Sequence, residues 1–165
     1  MDFRNNIKSQ YHASLAMLKE TIEKSPAEIW HEPQDQNQFW NVAYHALFFT
    51  HLYLSNSESE FKAWELHRHP YQELGPKPWP PEVQKFGEYY TREEMLAYLD
   101  FCWKFVDQQI PALNPEAESG FHWLPLNKLE LQFYNIRHLQ QHTGELMERL
   151  GTLAGIDVDW KGSLP

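Results

Sequence analysis

The stretch RHLQQHTGEL, residues 137–146, sets His138 and His142 four positions apart. On a helix of about 3.6 residues per turn, two such side chains stack on one face, turned only about 40° from each other. Both imidazoles can then reach a common point, which is a spacing suited to a divalent metal ion. The residue after His138 is Leu139, not the glutamate that acts as base in HExxH metalloproteases, so that chemistry is excluded. A third imidazole is available from His45 in NVAYHALFF, where apolar neighbours leave a polar ring in need of a partner for its nitrogens. His51, six residues further on, is turned about 120° from His45 and cannot easily join the same ion.

His45, His138 and His142 thus form a three-histidine set drawn from two helices, and three ligands leave at least one position of an ion open. An open position admits water or substrate, and the ion can bring the pKa of bound water to about 7 or ionise a bound thiol. Imidazole suits zinc, nickel, iron or copper alike, so donor type does not choose the metal. Asn41, one turn before His45, and Glu145, almost one turn past His142, share the ligand faces and are expected beside the site.

These residues need helices to carry them. Phe3, Ile7, Tyr11, Leu15, Leu18 and Ile22 recur at steps of three and four, which predicts an amphipathic first helix over about 3–24. SPAEIWHEPQDQNQ reads as a loop, because Pro26 and Pro33 restrict the residues before them and the polar run has no periodic face. A second helix over about 38–55 is apolar on most sides and should be central. Residues 56–90, rich in proline, read as a long crossover packed on the surface. Thr91 followed by Glu94 is a capping signal that starts a third helix near Arg92, and Met95, Leu99, Cys102 and Val106 give it an apolar stripe. Pro111 and NPEAESG end it, and a fourth helix is expected from about Lys128 to Leu150, stopped by Gly151. The expected architecture is one all-α domain over 1–165, a four-helix bundle with a long crossover between helices two and three.

Composition narrows the partners. A formal charge of −9 with no basic cluster argues against nucleic acid, whose phosphates are neutralised by Lys and Arg. No stretch approaches the roughly 20 apolar residues of a membrane span, and the N-terminal residues show no secretory pattern, so a cytoplasmic protein is expected. Nine histidines, seven tryptophans and eight tyrosines supply ring-bearing side chains for a pocket or for the core. Tyr44, Tyr134 and Trp123 are pocket-wall candidates, with plain packing as the default. His67 and His69 in ELHRHP read as a solvated loop, His12 as a surface residue, and His122 as loop packing. Cys102 in the apolar stripe reads as an inert core thiol, and Arg137 and Arg149 as partners of nearby carboxylates.

In helix order, in length and in two motifs, the chain resembles the DinB/YfiT-like superfamily of bacterial four-helix bundles. The motifs are FWNVAYHALFF, a Trp-containing second helix with a central histidine, and HLQQHTGE, an HxxxHxG followed by Glu. The resemblance covers essentially the whole chain and implies a divalent metal on His45, His138 and His142. Some members are similar to metal-dependent thiol transferases and isomerases that use low-molecular-weight thiols such as bacillithiol or mycothiol, and members often form homodimers. The implied function is a thiol-dependent S-transferase or related hydrolase-type enzyme acting on a small molecule. A non-catalytic metal or small-ligand binding protein, associated with stress, is the alternative.

Overall fold

Each long apolar repeat becomes a helix. In the computed structural model, which describes residues 2–32, 35–75 and 86–165, α1 spans Phe3–Lys24, the single turn α2 Ala27–Trp30, α3 Phe39–Leu54, α4 Arg92–Gln109 and α5 Lys128–Ala154. Short 3₁₀ turns occupy Glu58–Glu60 and Ile110–Ala112. No strand occurs among the described residues, where one isolated antiparallel bridge joins Glu118 to Asn127. The fold is all-α. No helix among the described residues is long and apolar enough to cross a membrane.

Helix ends follow the local chemistry. The Asp2 carboxylate accepts from the Arg4 amide to open α1, and Asn127 accepts from the Glu130 amide to open α5. Thr91 and Glu94 form the reciprocal capping box expected for α4. Two boundaries differ from expectation. The run after α1 is not wholly loop, because Ala27–Trp30 makes one helical turn that buries Ile29 and Trp30, with the Trp30 indole donating to Tyr90 O. The last helix also runs past Gly151 to Ala154. Gly155 ends it, at φ +66°, in the left-handed region that only glycine adopts without strain.

α3 packs against both α4 and α5, and α1 against the same two. This explains why α3 is apolar nearly all round: of its residues, only His45 and Phe49, one turn apart, escape full burial. α5 has the narrower stripe Leu131, Asn135, Leu139, His142, Leu146 and Leu150, all buried. Asn135 Nδ2 donates to Thr50 O across the α3–α5 seam, and Tyr11 Oη donates to Gln132 Oε1 across the α1–α5 seam. The ammonium of Lys128, at the start of α5, donates to the carbonyls of Ser55, Asn56 and Ser119. It thereby ties the start of α5 to the carbonyl-rich end of α3, the end at which a cation is stabilised. The register of α3 against α5 follows from these contacts, and it decides which histidines meet.

Candidate metal centre

Across the α3–α5 seam, His45 meets His138 and His142. One nitrogen from each lies within 4.8 Å of the others, a grouping that could hold a metal ion. His45 Nε2 and His138 Nε2 are 3.1 Å apart. Two nitrogens each about 2.0–2.1 Å from one ion would be separated by roughly 2.9–3.4 Å, so this spacing fits shared coordination. The rings of His138 and His142 stand 4.7 Å apart and nearly perpendicular, as do those of His45 and His142 at 4.6 Å. His142 is buried, while His45 and His138 are half-buried, so the cluster has one side toward solvent.

The partners of the outer nitrogens decide which nitrogens are free. His45 Nδ1 lies 2.7 Å from Gln72 O, and a carbonyl only accepts, so Nδ1 carries the hydrogen and Nε2 presents its lone pair to the cluster. His142 Nδ1 donates to Glu145 Oε2 at 3.1 Å, which likewise leaves Nε2 as the free nitrogen. Such oxygen acceptors behind metal-binding histidines fix the tautomer and raise the basicity of the ring. His138 has no such support: its Nδ1 is buried without a hydrogen-bond partner.

Burial makes charging these rings costly. It depresses His138 to about 3, with His45 and His142 adding repulsion, and His45 to about 4, with His142 adding to the effect. His45 and His138 are therefore neutral at physiological pH, the form in which imidazole binds a metal. The hydrogen bond from His142 holds the Glu145 carboxyl below its ordinary range, opposed by burial and aided by Arg149. Arg149 donates to Glu145 Oε1 at 2.6 Å, so both oxygens of this carboxylate are engaged. Arg149 is thus paired with a carboxylate, as its surroundings in the sequence suggest.

Asn41 is fully buried beside the cluster without touching it. Its Nδ2 donates to Tyr71 O at 2.7 Å and, at 3.4 Å, to Glu73 O, the carbonyls on either side of Gln72. The residue therefore holds the backbone that holds His45. Phe49, which sequence reasoning missed, lies against His45 at 4.7 Å and His138 at 5.5 Å between ring centroids. Its position one turn after His45 was the available signal. The Gln72 carbonyl had none, because any residue could supply it.

The other singled-out residues lie elsewhere. His51 bonds through Nδ1 to Tyr98 Oη at 3.1 Å, away from the cluster. Tyr44 is fully buried among Tyr90, Tyr98 and Phe48, Tyr134 packs edge-on against Tyr53, and Trp123 contacts Phe121 and His122. His67 is not a solvated loop residue. It is half-buried, stacked on Phe48, with Nδ1 2.6 Å from Tyr44 Oη, whereas His69 is exposed. Nor is His12 at the surface: it is 2% exposed, stacked on Trp103 of α4 at 4.1 Å. Cys102 is buried, its thiol pushed well up by burial. His122 is exposed, with Nδ1 3.4 Å from Glu58.

Comparison of the chain with protein-family models, with curated proteins and with solved structures finds no match.

Proposed function

We propose that this chain is a DinB/YfiT-like four-helix bundle with a crossover between its second and third long helices, and that it carries a divalent metal ion on His45, His138 and His142. The observation that carries this reading is the convergence of the three imidazoles with the hydrogens of His45 and His142 turned outward, onto Gln72 O and Glu145. Two lone pairs directed at one point repel each other unless a cation or a proton lies between them. At neutral pH burial keeps His45 and His138 from being charged; the Nε2–H of a neutral His138 can bridge to His45 alone, whereas a metal would engage all three nitrogens at once.

In this reading the chain is a metal-dependent thiol S-transferase. A divalent ion such as zinc, nickel or iron would supply a Lewis-acidic position that keeps a low-molecular-weight thiol in its nucleophilic, ionised form at neutral pH. His45, His138 and His142 act as ligands and not as bases, because one nitrogen of each faces the others. Phe49 excludes water from one side of the cluster, and the solvent-facing side between His45 and His138 gives thiol and electrophile their access. Glu145 orients His142 and moves no proton, since both its oxygens are engaged.

That engagement also favours a second reading, a non-catalytic binding protein, because it leaves the carboxylate beside the cluster unavailable as a general base. Thiol titration of cobalt-loaded protein separates the two. Direct coordination changes the cobalt absorption, and turnover of an electrophile panel with the same thiols then establishes transfer. An unchanged spectrum with no turnover would remove the transferase reading. Elemental analysis of untagged protein that finds no metal, with His138→Ala and His142→Ala as controls, would remove both. A cytoplasmic homodimer belongs to the same reading. Exposed Phe133 and Leu153 on α5 supply apolar surface for it, and sedimentation tests it.

A further inference from the structure

Outside the imidazoles, hydrogen bonds run from one candidate ligand to another through a residue that touches neither. His45 Nδ1 donates to Gln72 O at 2.7 Å. Three residues on, the Gly75 amide donates to Asn37 Oδ1 at 2.9 Å. The backbone carbonyl of the same Asn37 accepts from Arg149 Nη1 at 2.7 Å. Arg149 Nη2 donates to Glu145 Oε1 at 2.6 Å, and Glu145 Oε2 accepts from His142 Nδ1 at 3.1 Å. The path starts on α3, crosses the segment 72–75, passes through the residues before α3 and returns on α5.

Asn37 is the junction. It is 8% exposed, and its side chain holds the segment behind His45 while its main chain holds the arginine behind Glu145. Gly75 also lies against the side chain of Gln36, the residue before Asn37. Asn41 fastens Tyr71 O and Glu73 O, and Asn37 fastens the far end of the same short segment at Gly75. A neighbour that only filled space would not need to satisfy both arms.

We infer that Asn37 is a positioning residue which orients His45 and His142 together, through Gly75 and Gln72 on one arm and through Arg149 and Glu145 on the other. This rests on the metal-site reading. Withdrawal of electron density from a coordinated imidazole makes its outward N–H a stronger donor, so loading the site tightens both arms and reaches the Gly75 amide.

The test measures the zinc dissociation constant of untagged protein by chelator competition, beside the thermal midpoint of the metal-free form. Asn37→Ala, which deletes the acceptor for Gly75, is expected to weaken zinc binding about tenfold, the low end of the effect of losing outer-shell support. Asn37→Asp keeps the oxygen and is expected to restore affinity to within about threefold. Because the arms form one path, Asn37→Ala and Arg149→Gln combined should weaken zinc binding by less than the product of the single effects. A purely structural role would lower the thermal midpoint and leave zinc affinity unchanged, which overturns the inference, as does full additivity of the pair. Wild-type protein that takes no zinc removes the metal reading and this inference with it. Wild-type binding matched by Asn37→Ala removes this inference alone. Should Asn37→Ala not fold, amide exchange on the wild-type protein decides: zinc is expected to slow exchange at Gly75 about tenfold, and unchanged exchange overturns the proposal.

Discussion

His45 and His51 sit on the same helix, and burial lowers both to a pKa of about 4, yet their surroundings differ in kind. His51 faces α4. It is 2% exposed, and Phe61, Phe101 and Phe105 meet its ring edge-on at 4.8–4.9 Å, with Tyr98 Oη bonded to Nδ1. His45 faces α5, meets two more imidazoles, and stays half-buried with Phe49 packed against its ring. Burial makes a histidine neutral in both places. Only convergence of several neutral rings turns that neutrality into a donor set. A lone buried imidazole with one hydroxyl partner is a core residue with a polar edge, whatever its pKa.

The contrast is broken most directly at the ligands themselves. His45→Ala is expected to weaken zinc binding by roughly 100-fold or more, beyond the usual cost of losing outer-shell support. His51→Phe should keep the wild-type dissociation constant. Equal loss in both would show that the two histidines are not distinct in role. Asn41→Ala, which frees the carbonyls flanking Gln72, should weaken zinc binding about tenfold, and calorimetric titration that finds wild-type affinity would remove its role in holding His45.

Acid sharpens the contrast further. The folded pKa values of His45, His51 and His138, about 4, 4 and 3, lie below the unfolded value near 6.5. Between about pH 6.5 and 4 the unfolded chain therefore binds more protons than the folded one, so stability falls as pH falls through that window and is insensitive to these groups above it. His51→Phe should recover roughly 5 °C of the drop in the thermal midpoint of metal-free protein between pH 7 and pH 4.5, and the cluster should retain the rest. An identical drop in the variant would mean that His51 is not held neutral. The smallest effect is expected from Tyr98→Phe, which removes one buried hydrogen bond and should cost about 1 kcal/mol, or 2–4 °C in the midpoint, with zinc affinity untouched.

Much of the site was legible because it depends on helical periodicity. The spacing of His138 and His142, the turn separating His51 from His45, and the placing of Asn41 and Glu145 on the ligand faces all follow from the angle per residue. The helix limits were legible where a cap announced them, as at Thr91, and misread at Gly151, which keeps a helical backbone while the left-handed turn that ends the helix falls at Gly155. His12 and His67 were misread for another reason. Each is covered by a residue remote in sequence, Trp103 for His12 and Tyr44 for His67, and a local polar neighbourhood does not report such cover.

From the sequence alone came the all-helical class, the two helices that carry the clustered histidines, and the relative facing of His45 and His51 and of His138 and His142, because backbone geometry ties residues a few positions apart whatever surrounds them. Only the tertiary structure brought His45 to His138 across a separation of 93 residues, set Gln72 O behind His45, and joined Arg149 to Asn37 over 112 residues. Those contacts depend on how α3 and α5 slide and turn against each other. Packed side chains fix that register collectively, and no single stretch of the chain encodes it.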